Sequence, residues 1–357
     1  MVSPAPKVSV VMAVYNERPY LEKAVQSVLD QTFDDFEFII VNDGSTDGSK
    51  AVLDRFEQND DRIRLVHQEN RGLIASLNRG IDMAEGKYIA RMDGDDISHP
   101  ERFGQQVRFL EDNPEIGILG TQAGKIDAEG NVREGWKRSL PTDSDAATWR
   151  LLFNSCFCHP TVMMRHSVAE NLGGYAEWAE VAEDYELFSR AVLQTQLVNL
   201  PDTLLKHRRH EASVAVENRK QNISRCAEVA ARLHHAILGS SSAEEIARFL
   251  VWMERKGLMS AIEETEFRDF SRVHEHLCSL YTTCACRFFA NKSNTQVQRR
   301  ALRKLDTVAN QIGEAEGMVE GMLYKLRSWS IISGRDFLSV AWQVLKVRLT
   351  KRTSILG

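Results

Sequence analysis

Residues 8–14 read Val-Ser-Val-Val-Met-Ala-Val, a short and nearly all-apolar run that ends at the polar residues Tyr15, Asn16 and Glu17. A run of this kind is typical of a β-strand buried on both faces, as the strands of parallel sheets are. Apolar residues then recur at helical spacing, at Leu21, Ala24, Val25, Val28 and Leu29. The stretch therefore predicts a strand followed by a helix, the first unit of an α/β fold.

The same alternation continues through the first 120 residues. Strands are predicted at residues 36–41, 63–67 and 87–92, and a helix follows each of the first two, the second at about 73–84. This order predicts a mostly parallel sheet with helices on both faces. Because ligands of such sheets bind beyond the carboxyl ends of the strands, the residues that follow each strand are candidates for a binding site.

The pattern changes in the second half of the chain. Residues 123–150 are expected to be loop with short strands. From about Arg219 onward, glycine is scarce, no proline occurs after Pro201, and Ala, Leu, Glu and Arg dominate. The composition predicts an α/β domain at residues 7–216 and an all-helical C-terminal extension at residues 217–357.

Three predicted strands end in polar clusters, which should converge on one edge of the sheet. The last cluster holds Asp93, Asp95 and Asp96, three carboxylates within four residues. Such groups repel one another unless a cation or a ligand compensates their charge, and Mg²⁺ and Mn²⁺ prefer oxygen ligands. The cluster therefore predicts a divalent metal site. For Asp47 we instead favour a role in capping a helix or supporting a turn.

Composition limits the possible functions. The formal net charge is 45 − 50 = −5, which argues against a general nucleic-acid-binding protein. The six cysteines are too sparse for a disulfide framework, and the two Cys-x-Cys pairs lack the usual spacing of a zinc site. No cleavable signal and no apolar run of about 18 residues is visible. We expect a protein of the cytoplasm, or one bound to the inner face of the cytoplasmic membrane.

The chain from about Lys7 to Val216 resembles the family-2 glycosyltransferases of GT-A fold. The similarity is carried by residues 8–17, 41–49 and 90–96, and further along by His159-Pro160, Gly173-Gly174-Tyr175 and residues 183–187. The resemblance implies a Rossmann-like nucleotide-diphospho-sugar transferase. Such an enzyme transfers a sugar, with inversion, from a nucleotide-sugar donor to a hydroxyl of a glycan or a lipid-linked acceptor. Cell-surface polysaccharide, lipopolysaccharide or glycolipid assembly is the expected setting.

The resemblance also implies roles for individual residues on the donor side. It places Tyr15, Asn16, Glu17 and Asp43 in the nucleotide pocket, where Asp43 binds the base. It assigns binding of the metal and the diphosphate to Asp93, Asp95 and His210, with Asp96 beside them.

On the acceptor side, the resemblance assigns Asp184 as the catalytic base, with Glu183 adjacent to it. A base is needed on chemical grounds, because the acceptor hydroxyl must lose its proton as it attacks. The alternative is that Asp184 is an ordinary acidic residue at the start of a helix. His159 is expected to be a packed structural residue.

Other nucleotide-binding classes fit less well. A nicotinamide dehydrogenase should carry Gly-x-Gly-x-x-Gly after the first strand, where this chain has Tyr15-Asn16-Glu17, and residues 44–50 do not have phosphate-loop spacing. The alternative that remains is a catalytically inactive, nucleotide-sugar-binding scaffold or regulatory subunit of the same fold.

Residues 337–352 form a basic amphipathic pattern, with apolar residues mostly at helical spacing and four Lys or Arg residues near the end. A helix of this kind can lie on an anionic membrane surface. The alternative is that it packs on the catalytic domain or on a second subunit of a homo-oligomer.

Overall fold

The computed structural model describes most of the chain and divides it into two compact units, Met1–Val229 and Ala230–Gly357. The described residues are 5–133, 139–210, 219–239, 243–256, 261, 265, 269–288, 295–315, 328 and 331. The domain boundary predicted at residues 216 and 217, like the amphipathic segment 337–352, lies outside them. That boundary stays a prediction.

The first unit is built on an eight-stranded sheet with the order β3-β2-β1-β4-β7-β6-β8-β5. Strands β3, β2, β1 and β4 are parallel to one another. Strand β7 lies antiparallel between β4 and β6, β8 is parallel to β6, and β5 is antiparallel to β8. The strands are β1 Val8–Val14, β2 Phe36–Asp43, β3 Ile63–Gln68, β4 Tyr88–Asp93, β5 Ile97–Ser98, β6 Ile116–Ile126, β7 Met163–Arg165 and β8 Gln196–Arg208.

Helices connect these strands and bury their apolar faces on the sheet. They are α1 Arg18–Leu29, α2 Ser49–Glu57, α3 Leu73–Asp82, α4 Arg102–Asp112, α5 Ser144–Leu151, α6 His166–Leu172 and α7 Glu183–Ala191. In α1, for example, Leu21, Ala24, Val25 and Val28 are fully buried, which removes a continuous apolar stripe from water. The predicted α/β architecture is confirmed.

The expectation of loop with short strands at residues 123–150 is wrong toward its end, where a helix forms. Strand β6 continues to Ile126, and α5 begins after Asp143, whose carboxylate accepts a hydrogen bond from the Ala146 amide at 2.8 Å. Six of the eight residues of α5 are buried, among them Trp149. A short helix buried on most of its sides has no polar face, so it leaves little helical periodicity in the sequence.

The described residues from 219 onward lie in helices or in the turns that end them, as predicted for the C-terminal region. The helices are α8 Arg219–Leu238, α9 Ala243–Lys256, α10 Phe270–Arg287 and α11 Thr295–Ala315. Within the described parts of the chain, none of the helices combines the length and the apolar character needed to cross a membrane.

Candidate active site

The loops that follow β1 and β2 are bound to each other at the carboxyl edge of the sheet. Asn16, with φ of 57°, donates its backbone N–H to Ser45 Oγ at 3.0 Å, and its side-chain oxygen accepts from the Thr46 amide at 2.8 Å. Asparagine tolerates this left-handed conformation better than most residues. Asp47 accepts from the Arg18 amide at 2.8 Å and so supports the start of α1. It therefore has the helix-supporting role favoured for it.

Asp43 is almost completely buried at the end of β2. Its Oδ1 accepts hydrogen bonds from Gln68 Nε2 at 2.7 Å and from the Arg71 amide at 2.9 Å, and its Oδ2 accepts from the Gly72 amide at 2.9 Å. The carboxylate thus fixes the loop that leads into α3. Tyr15, in contrast, is 51% exposed on the same edge. That Asp43 binds the nucleotide base stays a prediction.

Asp93, Asp95 and Asp96 form a carboxylate cluster at the end of β4, with one oxygen from each residue within 4.8 Å of the others. Asp96 is fully buried, and its Oδ1 accepts from the Arg208 amide at 2.7 Å. Its Oδ2 is buried without a hydrogen-bond partner among the described residues. A buried carboxylate oxygen rarely lacks a partner, so the cluster fits a hard divalent cation, which binds to oxygen ligands of this kind.

The charges of this cluster are unequal because one of its members faces a buried arginine. Arg91 is 3% exposed, and its Nη2 lies 2.5 Å from Asp93 Oδ1. Burial raises the pKa of Asp95 and of Asp96, and the charge of Asp93 raises both further. For Asp93, burial opposes ionisation, but the Arg91 guanidinium and smaller contributions from neighbouring residues together outweigh it and lower the pKa. Asp93 is therefore the member of the cluster that ionises most readily.

Sequence reasoning assigned no role to Arg91, although a signal was present. Apart from Lys87 at its start, it is the one charged residue of the predicted strand at residues 87–92. Residues two apart on a strand point to the same face, so a buried Arg91 had to lie beside Asp93.

Glu17 approaches the carboxylate cluster from the loop after β1. A Cβ atom on Gly94 would lie 3.3 Å from Glu17 Cγ, so the absence of a side chain at Gly94 permits this close contact. Burial raises the pKa of Glu17 to about 8, with further contributions from Asp95, Asp93 and Asp47.

The end of β8 brings His210 to the same cluster. His210 Nε2 lies 3.1 Å from Asp95 Oδ2, and the His210 ring centroid lies 4.9 Å from that of Tyr20. Arg208 donates through Nε to the Asp95 carbonyl at 2.7 Å, and its guanidinium lies 4.6 Å from the centre of the Tyr20 ring. The three residues predicted to bind the metal, Asp93, Asp95 and His210, are therefore neighbours.

Glu183 and Asp184 occupy the first turn of α7. Asp184 Oδ1 accepts from the Tyr185 amide at 2.6 Å, and its Oδ2 accepts from Ser155 Oγ at 3.4 Å. Burial raises the pKa of Glu183 to about 7, and the adjacent charge of Asp184 contributes. Two adjacent carboxylates thus lie in different environments, an arrangement typical of acid–base sites.

A largely buried histidine, with a side chain that is 11% exposed, lies beside the start of α7. His159 Nε2 lies 2.7 Å from the Tyr175 hydroxyl, and its Nδ1 lies 4.0 Å from Glu183 Oε1. Burial lowers the pKa of His159 to about 3, and Arg91 lowers it further, so the imidazole is neutral at pH 7. The charge of Arg91 also acts on Glu183. The buried Arg91 guanidinium therefore pairs with Asp93 at β4 and also acts electrostatically on Glu183 at α7.

Comparison with known proteins gives consistent relatives. Residues 9–173 match the family model described as Glycosyl transferase family 2. The chain is 32% identical over 227 residues to an uncharacterized glycosyltransferase of Haemophilus influenzae, covering 61% of this chain and 70% of that one. It is 38% identical over 189 residues to the putative glycosyltransferase EpsE of Bacillus subtilis, covering 52% and 66% of the two chains.

Among solved structures, S. aureus TarS 1-349 in complex with UDP-GlcNAc aligns with a TM-score of 0.59 and 15% identity over 92% of each chain. At this identity the similarity shows the fold alone, and it confirms the predicted GT-A fold. The family match, the sequence relatives and the fold agree, and the chain belongs to glycosyl transferase family 2.

Proposed function

We propose that the protein is a metal-dependent, inverting glycosyltransferase. It transfers a sugar from a nucleoside diphosphate sugar to a hydroxyl of a glycan or a lipid-linked acceptor, in the assembly of a cell-surface polysaccharide, lipopolysaccharide or glycolipid. The observation that carries the proposal is the carboxylate cluster at the end of β4, whose Asp93 pairs with the buried Arg91. The charge of Arg91 also acts on Glu183 at the start of α7.

On the donor side, Asp93, Asp95 and His210 would hold Mn²⁺ or Mg²⁺. A bound cation of this kind stabilises the negative charge of a departing diphosphate as a Lewis acid. Tyr15 offers an exposed aromatic ring at the same edge of the sheet, suited to stacking on a nucleotide base. Asn16, Glu17 and Asp43 would complete the nucleotide pocket, as the family resemblance implies.

On the acceptor side, Asp184 accepts the proton of the acceptor hydroxyl as that oxygen bonds to the anomeric carbon. The bond between the anomeric carbon and the diphosphate oxygen breaks in the same step, so the configuration inverts. The hydrogen bonds from Ser155 and from the Tyr185 amide orient the carboxylate, and the positive end of α7 attracts its charge. Glu183, beside it, would contact the acceptor.

A donor screen separates this proposal from an inactive scaffold. UDP-, GDP- and dTDP-sugars are tested for protection against thermal unfolding with and without Mn²⁺, beginning with UDP-GlcNAc because TarS, of the same fold, has been solved with it. We expect one nucleotide class to protect only when Mn²⁺ is present, and the same donor to be hydrolysed or transferred. Protection without turnover would indicate the scaffold, and turnover undiminished by EDTA would contradict metal dependence.

The raised pKa of Glu183 predicts a specific dependence of stability on pH. Its pKa is about 7 in the folded protein and 4.5 ordinarily. The folded state therefore keeps a proton that the unfolded state releases, and stability is lost as pH rises from about 4.5 through 7. Replacing Glu183 with Gln should remove up to about 3 kcal/mol of this loss, at about 1.4 kcal/mol for each unit of pKa shift.

Thermal unfolding of the metal-free protein at pH 5 and pH 8 measures this difference. Glu183→Gln should be more stable than the wild type at pH 8, with a smaller advantage at pH 5. Glu180→Gln, at an exposed position three residues earlier, serves as the control and should follow the wild type. Parallel pH profiles for Glu183→Gln and wild type would show that Glu183 ionises normally.

A further inference from the structure

Val181 has an unusual backbone conformation directly before the acceptor-side carboxylates. Its φ is 67°, and Asn16 is the only other non-glycine residue with positive φ in the described ranges. A β-branched residue in the left-handed region is strained, and such strain persists only where neighbouring contacts hold it. Two residues later Glu183 begins α7.

Backbone hydrogen bonds link the segment between Trp178 and α7 to the first turn of that helix. The Ala182 amide donates to the Ala179 carbonyl at 2.8 Å, and the Glu186 amide donates to the Ala182 carbonyl at 3.0 Å. The direction in which α7 starts, and with it the position of Glu183, therefore depends on the conformation at Val181.

Helix α8 supplies the contacts that hold this segment. Asn222 Nδ2 donates to the Val181 carbonyl oxygen. Three residues further along the same helix face, the Arg225 guanidinium lies 5.8 Å from the centre of the Trp178 ring. Residue 222 lies beyond residue 216, where the resemblance to the family ends, so the resemblance assigns it no role.

We propose that Asn222 is a positioning residue for the acceptor-side carboxylates. By donating a hydrogen bond to the Val181 carbonyl oxygen, its side-chain amide stabilises the left-handed conformation there and so orients Glu183 and Asp184. This inference rests on the proposed role of Asp184 as the base. It predicts a defect in the transfer step and no defect in donor binding, because Asn222 contacts Val181, directly before the acceptor-side carboxylates.

The test is a double-mutant cycle with glycine at position 181, which adopts positive φ without strain. Asn222→Ala should lower kcat about tenfold, the factor expected for the loss of one ordinary hydrogen bond. The KM for donor and the thermal protection by donor should stay within about twofold of the wild type. Val181→Gly alone should retain near-normal kcat. The double variant should recover most of the loss, because glycine no longer needs Asn222 to hold the conformation.

Gln221→Ala is the matched control, since Gln221 is the exposed neighbour of Asn222 on the same helix. It should behave as the wild type. An unchanged kcat in Asn222→Ala would overturn the proposal. So would a loss that Val181→Gly fails to rescue, or an equal loss of donor affinity, since each indicates a general effect on folding.

Amide hydrogen exchange at residues 183–185 supplies a readout that is independent of turnover. Exchange there should accelerate in Asn222→Ala and slow again in the double variant. If the wild type shows no transferase activity, the proposed function fails, while the exchange result still decides whether Asn222 holds the start of α7. Unchanged exchange in Asn222→Ala would rule that out.

Discussion

Replacing Asp95 with Asn should lower kcat by about three orders of magnitude, the scale at which a single electrostatic stabiliser of a transition state contributes. Asp95 is the proposed cation ligand that also contacts His210, at 3.1 Å. Asparagine keeps the shape of the side chain but removes the charge that a hard cation requires. The rate is measured with saturating donor and acceptor over a range of Mn²⁺ concentrations.

The same substitution should not destabilise the metal-free protein. Burial and the charge of Asp93 raise the pKa of Asp95, so its ionised form is repelled in the folded state and a neutral amide relieves that repulsion. We therefore expect unchanged or greater thermal stability together with the loss of activity. Asp112→Asn, at an exposed position at the end of α4, controls for loss of charge elsewhere.

Two results would contradict the metal role of Asp95. One is a near-normal rate in Asp95→Asn. The other is full wild-type activity in excess EDTA. A lower melting temperature alongside the lost activity would instead assign Asp95 a structural role through His210.

The parallel half of the sheet was predictable because its strands are continuous apolar runs. The predicted strand at residues 8–14 coincides with β1, and those at 36–41 and 87–92 differ from β2 and β4 by one or two residues at their ends. Each of these strands is buried on both faces, so its continuous hydrophobicity alone identifies it as a strand. Residues that follow such strands reach one edge by topology, which is why the carboxylates of the candidate site could be found.

The other half of the sheet, in which parallel and antiparallel pairs are mixed, was not predictable in the same way. Strands β5 and β7 have only two and three residues, too few to show a period. Strand β8 pairs with β6 through several irregularities of register. These strands form because the tertiary structure provides neighbouring strands for them to pair with. The local sequence does not indicate that pairing.

Contacts between distant residues explain what was missed at the candidate site. Arg91 could have been inferred from its spacing to Asp93. The conformation of Val181 could not, because valine disfavours positive φ and the contact from Asn222 comes from a residue distant in the sequence. His159, expected to be a packed residue, is buried and bonded to Tyr175.

Asp184→Asn should abolish most transfer while donor binding survives. A general base contributes about 10²- to 10⁴-fold, and we expect a loss in the upper part of that range. Asparagine retains an oxygen to accept the Tyr185 amide, so α7 should begin as it does in the wild type. Thermal protection by donor with Mn²⁺ should match the wild type, because the proposed donor-binding residues lie at the ends of β1, β2, β4 and β8 and not on α7.

Residual activity in Asp184→Asn has an expected source. The charge of Asp184 is one cause of the raised pKa of Glu183, so its removal lowers that pKa and leaves Glu183 more readily ionised beside the acceptor. Glu183 can then act as a weak base, and the double variant Glu183→Gln/Asp184→Asn should lose the remaining activity.

Two outcomes would contradict the assignment of Asp184 as the base. If donor affinity collapses while turnover of bound donor persists, Asp184 is a structural or metal-binding residue. Retention of the anomeric configuration, determined by NMR of the wild-type product, would exclude the single displacement that requires this base.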